Sequence, residues 1–130
     1  MFVGNQASTT VAANGTYIWN VKYITNSNIS YDTTTGTFTF RVPGYYRIHV
    51  DTSGSVTGDI KPVLVFNGTA STTALGEATS TGAGNYVNIS FDTVQRIIST
   101  NNNNFATLSV INSGVAETVI VSNIVIERIG

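Results

Sequence analysis

Cysteine is absent from the 130 residues, histidine occurs once, and charged side chains make up only 10% of the chain. Without thiols there are no disulfides, no thiolate nucleophiles and no sulfur-ligated metals. The single histidine, His49, leaves a transition-metal centre short of ligands. It also confines Ser-His-Asp chemistry to one place, where Asp51 follows two residues on but no nucleophile-elbow serine accompanies it. Six Lys and Arg against seven Asp and Glu give a net charge of −1. No basic excess is available to neutralise phosphates, so no nucleic-acid partner is expected. Long apolar runs are missing too. Nothing approaches the ~20 residues of a membrane-spanning helix, and the opening MFVGNQASTT lacks the basic and apolar regions of a signal peptide. Neither membrane insertion nor a signal peptide is expected.

What is present is a hydrophobic share of 42%, enough for an ordinary core in a chain of this length without metals or crosslinks. The length suits one domain over 1–130. Thr, Ser, Asn and Gly take the place of charges on the surface, a composition that suits an extracellular, virion or spore surface.

The hydrophobic period is two. Tyr17, Trp19 and Val21 alternate with polar neighbours, as do Phe38 and Phe40, and then Tyr46, Ile48 and Val50. Further strand-like runs are 63–66, 86–91, 94–98, 105–111 and 117–129. Turn clusters separate them, among them DTTTG, TSGSVTG, the 71–85 stretch and the Asn run at 101–104. Pro43 lacks an N–H for a ladder and belongs at a strand boundary, so Val42-Pro43-Gly44 reads as a corner between two strands. About eight short strands without a capped helical segment predict an antiparallel all-β sandwich or barrel.

Few residues suggest chemistry. The stretch 51–59 brings Asp51 and Asp59 to one predicted turn, which leaves calcium as a possible ligand, although the spacing fits no defined calcium loop. Glu77, Asp92 and Glu117 are too scattered for an acid/base pair. No cofactor and no enzymatic activity are expected. Tyr17, Trp19 and Tyr23 are a candidate sugar-stacking platform, with core or interface as the alternative reading.

The stretch from Asn26 to Val50 resembles the signature of complement-type globular heads, within the tumour necrosis factor-like jelly-roll superfamily. Asn26, Tyr31, Phe38, Gly44 and Tyr46 fall at the spacings of that signature, while Ile48 and Val50 stand where the pattern has aromatic rings. The tail SNIVIERI resembles the closing strand of the family, with Asn123 at its glycine place. Bacterial and phage members likewise lack cysteine and are rich in Thr, Ser and Asn. They form heads of collagen-like spore-surface fibres and parts of phage fibres.

The resemblance implies a tumour necrosis factor-like jelly-roll sandwich assembled as a homotrimer, with one sheet of each subunit facing its neighbours. The chain supports that implication. Strand 45–51 carries Tyr45 and His49 on its non-core face, and 119–126 is apolar on both faces, as a strand covered on both sides requires. The expected interface residues are Tyr45, His49, Phe91 and Val121. The expected function is a non-enzymatic recognition or adhesion head of a surface fibre, binding a cell-surface glycan or protein through its loops. The alternative is a purely structural trimerisation cap or surface decoration.

Overall fold

In the computed structural model the described residues are 1–5, 9–55, 58–70, 78–80, 86–98 and 106–130. Thirteen strands occur among them: β1 (Phe2–Gly4), β2 (Thr9–Val11), β3 (Val21–Ile24), β4 (Ile29–Asp32), β5 (Thr37–Phe40), β6 (Gly44–Ser55), β7 (Gly58–Ile60), β8 (Pro62–Phe66), β9 (Thr69–Ala70), β10 (Ala78–Ser80), β11 (Tyr86–Ile97), β12 (Ala106–Asn112) and β13 (Glu117–Arg128). They pair antiparallel into two large sheets and one two-stranded sheet. One runs β11-β6-β13-β1-β3, with β2 also on β13; the other runs β4-β5-β12-β8-β9, and β7 and β10 form a separate pair. Apart from the β4-β5 and β8-β9 hairpins, the sheet neighbours are not consecutive in sequence, as the crossovers of a jelly roll demand.

The core lies between the sheets and follows the period of two. Tyr46, Ile48 and Val50 of β6 point inward and are fully buried, facing Phe38 and Phe40 of β5 and Leu108 and Val110 of β12. Ring packing ties the layers: Tyr31 and Phe38 have centroids 4.4 Å apart, and Phe40 meets Tyr46 edge-on at 4.8 Å. Each buried side chain of this size is worth roughly 2–3 kcal/mol of transfer free energy.

The signature residues build this core and its corners. The Asn26 side-chain oxygen accepts the Asn28 N–H at 2.7 Å, closing the turn into β4. The Tyr31 hydroxyl accepts the Trp19 backbone N–H at 2.7 Å, and burial pushes the phenol pKa up to about 12. Gly44 has φ 150°, and a Cβ there would collide with the Gly130 carbonyl and the Arg128 guanidinium. Only glycine fits that corner. The Tyr46 hydroxyl then donates to the Val42 carbonyl at 2.6 Å, fastening the corner from inside.

Three local readings of the sequence are corrected. Tyr17 and Trp19 are buried but lie outside any strand, because the chain crosses between sheets there. Thr16 bridges Ile111 of β12, while Val21 already pairs with Gly4 of β1. The runs 86–91 and 94–98 are one strand, β11; Asp92 interrupts the apolar pattern only because it points outward. The predicted turn at 52–58 is largely strand, since β6 continues to Ser55. Gly54 serves close packing: a Cβ would strike the Thr118 carbonyl, where β13 shifts register between Val119 and Val121. Pro62 opens β8, as the missing N–H requires.

Candidate functional site

Residues directly opposite on paired strands share a face, so the register defines the outer surface of the β11-β6-β13-β1-β3 sheet. One row runs Asp92, His49, Val125, Phe2, Ile24, and a second runs Val94, Arg47, Glu127. Both pair residues far apart in the sequence.

The centre of this face is a charged cluster. Arg47 holds Asp92 with two bonds, Nε to Oδ1 at 3.0 Å and Nη2 to Oδ2 at 2.6 Å, and reaches Glu127 at 3.5 Å. The hydrogen bond from Arg47 keeps the Asp92 carboxyl below its usual range, and the same bond raises the Arg47 pKa. His49 Nε2 lies 2.9 Å from Asp51 Oδ2, and its Nδ1 lies 3.5 Å from Asp92 Oδ2. A depression of about 340 Å³ lies here, lined by Arg47, His49, Val125 and Glu127. Every charge in the cluster has a partner within the same chain, which lowers the desolvation cost of covering it.

Apolar side chains flank the cluster on two sides, while the outward row Ser90, Asp51, Asn123 borders it with polar groups on a third. The Phe2 and Tyr23 rings pack at a tilt with centroids 4.9 Å apart. Tyr23 and Tyr45 are each 49% exposed, Val94 54% and Ile24 59%. The outer face of the opposite sheet is different. Its outward positions include Ser30, Asp32, Thr37, Thr39, Thr107 and Ser109, and among the described residues its strands bear none of the exposed large hydrophobic side chains. One face is suited to water and the other to a partner.

Of the predicted interface residues, Tyr45 and His49 stand on the apolar face. Phe91 does not. It pairs with Val50, points into the sandwich and is 8% exposed, so it belongs to the subunit core. The alternation along β11 decides this: Phe91 takes the inward phase with Ile89, and Asp92 the outward one. Val121 sits on β13 opposite Ser53, next to the register shift, and its side chain is outside the described residues.

The stacking platform is also corrected. Tyr17 and Trp19 are buried, with Trp19 Nε1 donating to Ser122 at 2.9 Å, while Tyr23 lies on the outer face of the β11-β6-β13-β1-β3 sheet. The calcium turn fails at Asp51, which is held in mid-strand by His49; the Asp59 side chain is outside the described residues. No group of three or more His, Asp or Glu side chains converges as a metal site among the described residues. Of the 71–85 and 100–104 loops, only β10 is described.

The sequence reading missed the Arg47–Asp92–Glu127 network and the Phe2–Tyr23 pair. Opposite charges at cross-strand positions carry no local signal; only the register brings them together.

Comparison of the whole chain with solved structures gives the same architecture. Eiger TNF from S. frugiperda superposes with a TM-score of 0.65 at 16% identity, covering 99% of this chain and 90% of that one. PRD1 vertex protein P5 superposes with a TM-score of 0.58 at 15% identity, covering 99% and 96%. No curated protein matches the sequence. The C1q domain model matches residues 1–91, from β1 into β11, and includes the whole signature from Asn26 to Tyr46. With the tumour necrosis factor-like jelly roll around it, that match makes the chain a member of the C1q domain family, a group of non-enzymatic binding and structural domains.

Proposed function

We propose that the protein is the trimeric, non-enzymatic recognition head of a phage or bacterial surface fibre, and that the β11-β6-β13-β1-β3 sheet is its assembly face. The observation that carries this is the unequal polarity of the two outer faces: exposed apolar and aromatic side chains flank the Arg47–Asp92 cluster on one, while among the described residues the strands of the other bear no exposed large hydrophobic side chain and present hydroxyls along β4, β5 and β12. A face of that kind is covered by a partner, and three copies closing about an axis cover it without leaving an open edge. His49 lies in this interface, Tyr45 stands at its rim at the start of β6 with its ring left accessible, and Val121 is assigned to it by its strand position. Internally paired charges at its centre fix orientation more than they add affinity. Trimerisation repeats every surface loop three times, so weak contacts to a cell-surface glycan or protein combine by avidity.

Light scattering at neutral pH tests the assembly. Three chains of 13.8 kDa give a species of about 41 kDa; a 13.8 kDa species at all concentrations refutes the assembly face. The likeness to a PRD1 vertex protein favours a second reading, in which the trimer is a structural cap or virion decoration and binds nothing else. Saturable binding to whole cells or to a glycan array separates the two.

A further inference from the structure

The starts and ends of strands leave a basic, aromatic recess away from the centre of the assembly face. Where β6 begins and β11 and β13 finish, a depression of about 330 Å³ is lined by Tyr45, Arg96, Arg128 and the apolar side chain of Ile98. A second, of about 410 Å³, shares Arg96, Ile97 and Ile98 with the first and is also lined by Phe66, Asn67 and Gln95. The chain has only six Lys and Arg in all, and two of them meet here. Arg47 is engaged by two carboxylates, but neither Arg96 nor Arg128 is ion-paired among the described residues. Arg128 is instead held by the Pro43 carbonyl at 3.3 Å, which fixes its guanidinium over the Gly44 corner. The floor is fastened as well: Tyr45 N–H donates to the Gly130 carbonyl at 3.0 Å, and Ile129 N–H to the Tyr45 carbonyl at 2.8 Å.

Two guanidiniums select a compact anion with planar oxygens. The half-exposed Tyr45 ring and Ile98 beside them demand an apolar face on the same molecule. In the neighbouring depression the Asn67 oxygen already accepts the Thr107 N–H and the Gln95 NH2 donates to the Thr93 hydroxyl, leaving the Asn67 NH2 and the Gln95 oxygen to suit hydroxyl groups. A carboxylated six-membered sugar meets all three conditions, and the second depression takes the next ring of a chain. We infer that this recess binds an acidic oligosaccharide of the uronic-acid type, its carboxylate on Arg96 and Arg128 and its C–H face on Tyr45. The inference names a ligand class for the recognition head proposed above and rests on that reading.

Titration calorimetry of the whole protein with digalacturonic acid tests it, alongside maltose as a neutral disaccharide and inorganic sulfate as a bare anion. Saturable binding of the uronate, with neither comparison compound competing, is expected. Arg96→Gln should weaken it about tenfold or more, as loss of a charge-assisted bond does, and leave the native mass unchanged. Arg128→Gln should act the same way. No uronate binding, equal competition by sulfate, or an unaltered affinity in Arg96→Gln overturns the site. The native mass keeps the two ideas apart. A trimer without uronate binding removes the site and leaves the assembly; a monomer that binds uronate removes the assembly and leaves the site.

Discussion

Tyr23→Ala is the sharpest test of the assembly face. Tyr23 stands on β3 with its ring against Phe2, and 49% of the residue is exposed in the isolated subunit. Half of a tyrosine is about 100 Å², which at 25 cal/mol per Å² corresponds to about 2.5 kcal/mol for each subunit if a neighbour covers it fully. Three copies give about 7 kcal/mol per trimer as an upper value, since part of that surface is polar. Even half of this raises the trimer dissociation constant by more than about a hundredfold. Sedimentation equilibrium over a range of concentrations reads the change directly. Truncation also loses the Phe2 contact, worth about 0.5–1.5 kcal/mol within the subunit, so thermal unfolding should be followed in parallel. The control is Thr39→Ala on the outer face of the opposite sheet. If both substitutions shift the dissociation midpoint equally, or neither shifts it, the assignment of the apolar face to the interface is wrong.

Gly44→Ala should unlatch the corner, because the new Cβ meets the Gly130 carbonyl and Arg128 at a φ that disfavours side chains; a loss of about 2–4 kcal/mol is expected in denaturant melts. Asn112 is fully buried, its Nδ2 donating to the Val115 carbonyl at 2.6 Å and its Oδ1 accepting the Gly114 N–H at 3.0 Å. Asn112→Ala leaves both groups unmatched and should cost about 2–4 kcal/mol by the same measurement. Tyr31 should titrate late, near the value of about 12 that burial imposes. Its folded pKa is raised, so its stabilising contribution is complete below pH 10 and is lost as pH rises through about 12. That amounts to about 2–3 kcal/mol. Burial also raises the Tyr46 pKa, so ultraviolet difference titration of Tyr31→Phe should lose the delayed phenol near 12 while that of Tyr46 remains.

The all-β class, the period of two, the corner at Val42-Pro43-Gly44 and the signature from Asn26 to Tyr46 were all legible before any coordinates. Each depends on local chemistry: side chains alternate across a strand, proline lacks a donor, and only glycine tolerates the Gly44 conformation. Local pattern also misled where it stood alone. Asp92 made one long strand look like two, and Tyr17 and Trp19 looked like a strand where the chain merely crosses the core.

Phe91 marks the limit of the sequence. Its composition fits an interface or a core equally well, and only the pairing with Val50 fixes which way it points. The same holds for Arg47, Asp92 and Glu127, which stand 45 and 80 positions apart along the chain when counted from Arg47 (92 − 47 and 127 − 47) and meet through the β6 register with β11 and β13. The recess between Arg96 and Arg128 exists only because three strand ends converge. Alternation along one strand is local and therefore written in the sequence. Which strand lies beside which is a long-range choice, made by packing of the whole core, and that choice alone created the two unequal faces and the basic recess.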